Sequence, residues 1–474
     1  MKILFAASEA APYIKTGGLG DVASALPKAL STDPDSQIYV FLPYYKSIKL
    51  NPNWHMEFIT SFYVPLGWRN QYCGIIHAVG EGNLHYYFID NEYYFCRDTA
   101  YGYNDDGERF AFFSKAVLES LLHLNWYPDV IHANDWQTAL IPVFLKAFYQ
   151  VLDAFRPIKT LFSIHNMEYQ GKESYYFIQD CLGLPYDWHG TMQFDGCTNL
   201  MKAAINVADH VNTVSRTYAT EIQTPYFSHG LHDVLRHHNY KLSGVVNGID
   251  TEVFDPATDP LIPNHFDAAN LSGKRKNKDD LQLKLGLERR DDVPMIIIIS
   301  RLVGHKGVDL VQAVMEDLMY EDFQLVVIGT GDRRYEDMFR AYASRAPQRV
   351  SANIVFDNSL AHQAYAAADL VLMPSKQEPC GLTQLIAMRY GTVPIVRETG
   401  GLFDTVPAYN PETGEGLGFT FNTYNAHDML DAIRRALALY RNPEQWNHLR
   451  RNVMANDSSW DRSVKEYWNI YRSL

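Results

Sequence analysis

The chain has 474 residues, which is more than one hydrophobic core ordinarily serves, so we expect two or three domains. Its 55 acidic residues outnumber its 42 basic residues, and the net charge of −13 argues against nucleic acid or an anionic membrane as a partner. Its five cysteines lack any C-x-x-C spacing, which disfavours a disulfide framework or a zinc site. The longest aliphatic run, residues 296–299, is far too short to span a bilayer, and no signal sequence precedes the first strand, so we predict a cytoplasmic protein.

The first half of the chain alternates apolar runs with amphipathic stretches. The apolar runs predict strands at residues 2–7, 37–42, 129–133, 160–165, 210–214 and 243–246. Helices are predicted at residues 22–30 and 109–124 and from Gln137 onward. The Tyr-rich residues 51–100 alternate in polarity and predict a hairpin-like insertion. This alternation of strand and helix indicates a parallel sheet covered on both faces.

A glycine-rich loop, KTGGLGD at residues 15–21, joins the first predicted strand to the first predicted helix. Free backbone N–H groups and the helix dipole at that end favour an anion, and glycines let a ligand approach the backbone closely. Lys15 adds a mobile positive charge, and Asp21 adds a hydrogen-bond acceptor. The pattern fits neither the dinucleotide fingerprint nor the P-loop. It indicates a phosphate-facing loop of another kind, and the alternative is an ordinary strand-to-helix turn.

Residues 256–294 separate two halves of similar architecture. Their prolines and the charge run at residues 273–280 indicate a linker followed by the solvated start of a helix. Further strands are predicted at residues 294–300, 323–328, 353–356, 370–373 and 393–396, with a helix from Lys306 onward. Two doubly wound sheets in tandem are expected to leave a cleft at their strand ends, where ligands bind in such folds. Residues 459–474 predict a helix with one aromatic face, which is expected to pack onto a domain.

Two cations follow the first predicted strand of the second half. Arg301 and Lys306 flank a turn that opens a helix. A guanidinium fork together with an ammonium group suits a diphosphate. The alternative is a pair of surface cations, but positive charge is unfavourable near a helix start, which favours a functional role.

A second motif follows the predicted strand at residues 370–373. Glu378 lies in the loop before a helix, where its carboxylate is suited to hold sugar hydroxyls. Gly381 permits close approach to the backbone, so the neighbouring amides are suited to a phosphate. The alternative is helix capping by Glu378 or Thr383. No His–Asn or His–Asp setting supports Cys380 as a nucleophile, so we interpret it as a bystander thiol.

Polar side chains end two predicted strands of the first half. His165 and Asn166 end one of them, and the stretch HANDW at residues 132–136 ends another. Two polar strand ends in one sheet predict an active-site rim, although each histidine taken alone is more often structural. Asp33 and Asp35 have the spacing of a metal-binding pair, but they precede a strand and enclose a proline, so they predict a turn. No metal cluster stands out in the sequence.

Seven motifs, in this order and spacing, resemble the bacterial glycogen synthase family, which is shared with plant starch synthases. They are KTGGLGDV at 15–22, HANDW at 132–136, HN at 165–166, NGID at 247–250, SRL at 300–302 with KG at 306–307, EPCGLTQ at 378–384 and TGGLFDTV at 399–406. The likeness runs from residue 1 to the Ser459-Trp460-Asp461 tail. Gln377 stands where the family usually has an aromatic residue, and NDWQ at residues 134–137 replaces a more frequent HDWH pattern. These departures concern the acceptor side of the site.

The resemblance implies an α/β protein with two tandem Rossmann-like, doubly wound domains facing a cleft, which is the GT-B glycosyltransferase fold. The implied domains are residues 1–247, residues 248–458 and a helix at residues 459–474 that packs back on the first domain. The implied activity is a retaining transfer of glucose from ADP-glucose to the non-reducing-end 4-hydroxyl of an α-1,4-glucan, which elongates glycogen. ADP-glucose is then a substrate, no metal or other cofactor is expected, and an oligomer is compatible with the resemblance.

The resemblance also implies the residues of the site, carried over position by position. The implied catalytic residues are Glu378, His165, Arg301 and Lys306. The implied substrate-binding residues are Lys15, Gly18, Asp21, Asp135, Asn166, Asn247, Cys380, Gly381, Leu382 and Thr383. In these sets, Lys15 and Gly18 contact the diphosphate from the first domain. Arg301 and Lys306 contact it from the second domain. His165 and Glu378 hold the glucosyl hydroxyls.

Three alternative functions have weaker support in the residues. A glucan phosphorylase needs a lysine-bound pyridoxal phosphate, for which the sequence offers no support. A nicotinamide dehydrogenase needs a third glycine after Gly329 and Gly331, and an acidic ribose-binding residue in register. The third alternative is a non-catalytic glucan-binding or scaffolding protein. It is disfavoured by an intact set of site residues, namely Lys15, Arg301, Lys306 and Glu378.

Overall fold

Two compact units make up the protein. The computed structural model describes residues 1–81 and 84–474. The first unit joins Met1–Asn247 to Trp460–Leu474, and the second unit is Gly248–Ser459. Each unit buries a hydrophobic core of its own, built from aliphatic and aromatic side chains.

A large, mostly parallel sheet forms the centre of the first unit. The strands in the described part of this unit are β1 (Lys2–Ala6), β2 (Gln37–Pro43), β3 (Glu57–Leu66), β4 (Arg69–Val79), β5 (Leu84–Asp90), β6 (Val130–Asn134), β7 (Lys159–Ile164), β8 (Lys172–Glu173), β9 (Gln193–Phe194), β10 (Cys197–Asn199), β11 (His210–Thr213) and β12 (Leu242–Gly244). Nine of these described strands form the large sheet in the order β12-β11-β7-β6-β1-β2-β5-β4-β3, and β8, β9 and β10 form a small antiparallel one. Neighbouring strands run parallel from β12 to β5. The parallel sheet predicted for the first half is therefore confirmed.

The Tyr-rich segment forms a hairpin that belongs to the large sheet. Strands β3 and β4 pair antiparallel, as predicted. The hairpin also extends the sheet, because β4 pairs with β5, and β5 lies beside β2. Alternate residues of β3, namely Phe62, Val64 and Leu66, are buried, so the hairpin packs one face on the core. Residues 82 and 83 of the predicted segment lie outside the described residues.

Helices connect the parallel strands of the first unit, as such strands require. They are α1 (Gly18–Leu30), α2 (Lys46–Lys49), α3 (Glu92–Phe95), α4 (Asp106–Leu124), α5 (Leu140–Phe144), α6 (Phe177–Asp180), α7 (His189–Met192), α8 (Leu200–Val207), α9 (Arg216–Glu221) and α10 (His232–His237). The helix predicted at residues 109–124 is confirmed as α4. The one predicted from Gln137 begins as a short 3-10 turn, Trp136–Thr138, before α5.

The second unit is a parallel sheet with helices between its strands. In the described residues its strands are β13 (Met295–Ile299), β14 (Gln324–Ile328), β15 (Val350–Asn353), β16 (Leu370–Met373), β17 (Val393–Arg397) and β18 (Phe419–Phe421), in the order β15-β14-β13-β16-β17-β18. Its helices are α11 (Ser272–Leu285), α12 (Val308–Ala313), α13 (Met315–Leu318), α14 (Arg333–Arg345), α15 (Asn358–Ala367), α16 (Thr383–Arg389), α17 (Gly400–Thr405), α18 (Ala426–Tyr440) and α19 (Pro443–Ala455). All of these strands pair in parallel, so the second predicted sheet is confirmed.

Two predicted elements of the second unit are displaced. The strand predicted at residues 353–356 is wrong in position, because β15 ends at Asn353 and Phe356 is exposed. The helix predicted from Lys306 begins as α12 at Val308. Gly307, with a φ of 78°, separates it from a 3-10 turn that ends at Lys306.

The charge run at residues 273–280 begins a helix, as predicted, with Arg275, Lys276 and Asp280 exposed, but the expectation that the whole run is solvated is wrong. Lys274 and Lys278 are buried on one face of α11. Lys278 Nζ lies 2.7 Å from Asp369 Oδ2, and Arg450 Nη2 lies 2.7 Å from Asp369 Oδ1. Lys274 Nζ donates instead to three backbone carbonyls and to Thr392 Oγ1. Acceptors brought from distant parts of the chain make the burial of these ammonium groups tolerable.

We expect Lys278→Met to destabilise the second unit strongly. Breaking a buried ion pair costs about 3–5 kcal/mol, and because Arg450 still pairs with Asp369 we expect the lower end of that range. Lys276→Met, on the exposed face of the same helix, is the matched control and is expected to change stability by less than about 0.5 kcal/mol. Calorimetric unfolding of both variants checks this expectation, and equal shifts in melting temperature would contradict it.

The C-terminal helix α20 (Asp461–Ser473) packs on the large sheet of the first unit. Tyr471 Oη lies 2.8 Å from His132 Nδ1, and Asn212 Nδ2 donates to Tyr467 Oη at 3.1 Å. His132 Nε2 also lies 2.5 Å from Ser163 Oγ. The aromatic face predicted for this helix therefore joins a buried polar network, and His132 is a structural residue.

Two remaining features agree with the sequence. Asp35 N donates to Asp33 Oδ1 at 3.0 Å, so Asp33 and Asp35 form the predicted turn. Within residues 1–81 and 84–474, no helix is both long enough and apolar enough to cross a membrane.

Candidate active site

The glycine-rich loop of the first unit leads directly into α1. The helix begins at Gly18, so the start predicted at Val22 is wrong, and Gly18 and Gly20 belong to its first turn. Gly17 precedes the helix in an extended conformation and has no side chain to cap the first turn, in which Gly20 N donates to Gly17 O at 3.2 Å. Uncapped N–H groups at a helix N-terminus are suited to an anion. The loop thus offers donors where the resemblance places a diphosphate.

Glu9 holds this loop, and no local sequence pattern singles it out. Glu9 Oε2 accepts hydrogen bonds from Thr16 N and Thr16 Oγ1, each at 2.6 Å. The residue is 3% exposed, and this burial raises the pKa of its carboxyl above the usual value. A carboxylate just past the carboxyl end of β1 therefore ties down the loop between Lys15 and Gly17.

Lys15 and Asp21 form an ion pair within the loop. Lys15 Nζ lies 2.7 Å from Asp21 Oδ1, and both side chains are partly exposed. Burial raises the pKa of the Asp21 carboxyl, while the Lys15 ammonium acts in the opposite direction. The pair keeps Lys15 close to the first turn of α1, from which its ammonium can reach an anion.

Asp135 lies at the carboxyl end of β6 and organises the end of β7. Its Oδ1 accepts from His165 N at 2.7 Å and from Asn166 N at 3.3 Å. Its backbone φ is 58°, which is uncommon for a residue other than glycine and marks a constrained position. Burial raises the pKa of the Asp135 carboxyl to about 7. The structure therefore brings together three of the predicted site residues, namely Asp135, His165 and Asn166.

His165 is a neutral imidazole in this environment. Burial lowers its pKa to about 4. Its Nε2 lies 2.9 Å from Asn134 Oδ1, while Asn134 Nδ2 donates to Ala6 O at 3.0 Å. Because an amide oxygen only accepts, Nε2 carries the proton and Nδ1 is left as an acceptor. Asn134, inside the HANDW stretch at residues 132–136, is thus the residue that sets the tautomer.

Asn247, at the end of the first unit, is the last predicted site residue of that unit. It is 5% exposed. In the described part of the chain its Oδ1 has no hydrogen-bond partner. A buried acceptor without a donor is costly, so a ligand hydroxyl or water is the expected partner.

Lys306 and Glu378 meet in the second unit. Lys306 Nζ donates to Glu378 Oε1 at 2.9 Å and to Oε2 at 2.7 Å. Ser375 Oγ donates to the same carboxylate at 2.9 Å, a contact that the sequence did not indicate. The alternative of Glu378 as a helix cap is not seen in the described residues, since no side chain caps α16.

The loop from Glu378 to Thr383 is packed against a second glycine motif. A Cβ at Gly400 would lie 2.0 Å from Glu378 O, and one at Gly401 would lie 2.2 Å from Cys380 O. Gly401 N also donates to Glu378 O at 3.1 Å. Only glycine fits where the backbone at residues 400 and 401 comes this close to the backbone of the Glu378 loop, which explains the TGG stretch at residues 399–401.

The rest of this loop turns into α16. Gly381 has a φ of 76°, a conformation that favours glycine, and Leu382 precedes the first helical residue, Thr383. Gln384 Nε2 donates to Cys380 O at 3.1 Å and to Gly381 O at 2.9 Å, which fixes the turn. Cys380 is 4% exposed, a burial that agrees with a structural thiol.

Arg301 contacts a different residue from Lys306. It is exposed at the end of β13, and its Nη2 lies 3.3 Å from His305 Nε2. Arg301 and Lys306 thus flank the same turn, as predicted, and within the described residues Lys306, unlike Arg301, forms an ion pair with Glu378. Among the described residues, no group of three or more His, Cys, Asp or Glu side chains is arranged to hold a metal ion.

Comparisons with known proteins define the class. Residues 2–237 match the family model described as starch synthase catalytic domain, and residues 282–453 match that described as glycosyl transferases group 1. The solved catalytic domain of Starch Synthase IV from Arabidopsis thaliana, bound to ADP and acarbose, is 34% identical, with a TM-score of 0.92 over 100% of this chain and 98% of that chain. Sucrose-phosphate synthase from Thermosynechococcus elongatus, 17% identical with a TM-score of 0.63 over 100% of this chain and 98% of that chain, shares the fold alone. The protein is a glycosyltransferase built from two Rossmann-like units, in agreement with the predicted GT-B fold.

Curated relatives define the family more narrowly. Glycogen synthase from Clostridium acetobutylicum is 49% identical over 100% of both chains. Glycogen synthase from Clostridium botulinum (strain Eklund 17B / Type B) is 48% identical over 100% of this chain and 99% of the relative. The chain belongs to the glycogen synthase family, which confirms the resemblance of its motifs.

Proposed function

We propose that the protein elongates an α-1,4-glucan by transferring glucose from ADP-glucose to the non-reducing-end 4-hydroxyl, with retention of configuration. The observation that carries the proposal is the Lys306–Glu378 pair at the carboxyl edge of a parallel sheet. It sets a cation for a diphosphate beside a carboxylate for sugar hydroxyls. The relatives named glycogen synthase, and the solved starch synthase bound to ADP and acarbose, support these substrates.

The leaving group explains why cations collect in these loops. When the bond from glucose to the diphosphate breaks, negative charge develops on the phosphate oxygens. Arg301 and Lys306, with the amides of the Gly381–Thr383 turn, neutralise that charge from the second unit. Lys15 and the N-terminus of α1 at Gly18 do so from the first. Donors that are already oriented lower the barrier without reorganising during the reaction.

The transferred glucose carries the complementary positive charge. In this proposal Glu378 and neutral His165 hold its hydroxyls, and Asp135 holds the backbone that carries His165 and Asn166. The acceptor attacks on the face that the diphosphate leaves, and a diphosphate oxygen takes the proton of the 4-hydroxyl. Trapping of a covalent glucosyl–enzyme adduct would contradict this front-face route, because such an adduct belongs to double displacement.

A radiochemical assay tests the proposed activity directly. The protein is incubated with glycogen and labelled ADP-glucose, and a parallel reaction contains labelled UDP-glucose. We expect label from ADP-glucose to enter glycogen, and an enzyme that cleaves α-1,4 bonds should release that label. The kcat/KM with ADP-glucose should exceed that with UDP-glucose. No incorporation from either donor, with glycogen still bound, would instead favour the non-catalytic glucan-binding alternative.

The Asp135 carboxyl predicts an acid limb in the pH profile. With a pKa of about 7, it gains its proton as the pH falls through neutrality and then loses the charge that holds the His165 and Asn166 amides. We expect kcat/KM for the donor to fall below about pH 7, and Asp135→Asn to be slower but flat over that range. His165 cannot supply this limb, because its pKa is about 4. If kcat/KM of Asp135→Asn falls below about pH 7 as in the wild type, Asp135 is not the group that causes the fall.

A further inference from the structure

We propose that a cavity of about 590 Å³ in the second unit binds a small phosphate-bearing ligand at a site separate from the donor loops. The cavity lies where α11, the end of α18 and the start of α19 meet Asp369. Asp369 stands at the amino end of β16, where its Oδ2 accepts from Met295 N, the first residue of β13, at 3.0 Å. Glu378, in contrast, follows the carboxyl end of β16. The cavity and the Glu378 loop thus lie at opposite edges of the six-stranded sheet.

Positive charge predominates on the cavity wall. Five cations line it, namely Lys274, Arg275, Lys278, Arg441 and Arg450. Three carboxylates line it as well, those of Asp291, Asp292 and Asp369. The chain as a whole carries a net charge of −13, so a local excess of cations is unusual for it.

Pairing removes most of the negative charge from the cavity. Asp291 pairs with Arg275, and Asp292 pairs with Arg290, which does not line the cavity. Asp369 is then the remaining carboxylate, and Lys278 and Arg450 share it. Lys274 donates to carbonyls and a hydroxyl, and burial lowers its pKa well below the usual value. Even with Lys274 neutral, the wall keeps an excess of positive charge, which an anion would balance.

Hydrogen-bond donors without acceptors occur at the same cavity. Within the described residues, Arg450 Nε and Trp446 Nε1 are buried and have no hydrogen-bond partner. Arg441, at the exposed end of α18, makes no ion pair in the described chain. Arg441 is the exposed one of these three donors, and a guanidinium can only donate, so the fitting ligand supplies acceptor oxygens to it. A phosphate does this, and its charge matches the guanidinium groups.

The size of the cavity and the Tyr440 and Trp446 side chains on its wall leave room for more than a phosphate ion. A phosphate monoester places its charged end at Arg441 and Arg450 and its organic part against these rings. Free phosphate and a small phosphate ester share the recognising chemistry, so both serve as probes. Such a ligand binds α11, α18 and α19 together and stabilises the second unit by mass action.

Calorimetric titration of the full chain tests the proposal. Inorganic phosphate and glycerol 3-phosphate are titrated separately, in saturating ADP, so that the proposed donor site is already occupied. We expect both to bind, and Arg441→Gln to weaken binding at least about fivefold, the effect of losing one charged hydrogen bond. Arg451→Gln, exposed on the neighbouring helix α19 and absent from the cavity wall, is the matched control and should bind like the wild type.

Three results would overturn the proposal. They are no binding in the presence of ADP, equal weakening in Arg441→Gln and Arg451→Gln, and binding that Arg441→Gln leaves unchanged. Arg441 is exposed, so its variant is expected to fold, and unchanged glucosyl transfer by Arg441→Gln confirms that the donor site is intact. Tighter binding of the ester than of phosphate would further support contact with the Tyr440 and Trp446 rings.

Discussion

Lys306→Ala is expected to lower kcat for glucosyl transfer by about 10²–10³-fold, the effect of removing one preorganised donor at a developing negative charge. Lys306 Nζ is fixed by both oxygens of Glu378, so it needs little reorganisation when the diphosphate departs. The KM for ADP-glucose should change less than kcat, because the charge develops in the transition state. Steady-state kinetics with ADP-glucose and glycogen measure both constants.

A matched lysine separates this effect from a general loss of charge. Lys276 is exposed on α11, and Lys276→Ala removes the same charge from the same unit. We expect this control to retain the wild-type kcat within about twofold. If Lys306→Ala behaves like Lys276→Ala, Lys306 has no part in stabilising the leaving group.

Glu378→Gln is expected to lower kcat at least about tenfold, which corresponds to about 1.4 kcal/mol in the barrier. The amide keeps the shape of the side chain but loses the charge that holds Lys306 and accepts from Ser375. Glu412→Gln, at an exposed position of the same unit, is the control and should match the wild type.

The two residues are also expected to act as a unit. The double variant Lys306→Ala/Glu378→Gln should lose less than the product of the two single effects, because each change already disturbs the other partner. Strictly multiplicative losses would show that the ion pair seen between Lys306 and Glu378 is unimportant for the reaction.

The parallel sheets were predictable from the sequence because strands buried on both faces must be almost wholly apolar. Met295–Ile299 illustrates this, since it is a short run of aliphatic residues that ends next to polar ones. The polar residues that follow such strands, including Asp135 and His165, were predictable for the related reason that ligands bind at the carboxyl edge. Helix starts were less predictable, since the glycines at the start of α1 have a low helix propensity.

Other features depend on contacts that no local pattern encodes. The local pattern around Lys274 and Lys278 predicts solvated charges. The acceptors that pair with these buried ammonium groups, such as Asp369, lie far along the chain. Glu9 is close to Thr16 in sequence, but a single glutamate after a strand resembles many others until the loop folds back on it. The setting of the His165 tautomer by Asn134 likewise requires the neighbouring strand ends of β6 and β7.

A crystal structure with ADP bound tests the central claim most directly, namely that cations from both units hold the donor diphosphate. We expect phosphate oxygens within hydrogen-bonding distance of Lys15 Nζ or Gly18 N of the first unit. We also expect these oxygens to contact Arg301 and Lys306 of the second unit. A diphosphate that contacts only one unit, or that lies away from these residues altogether, would contradict it.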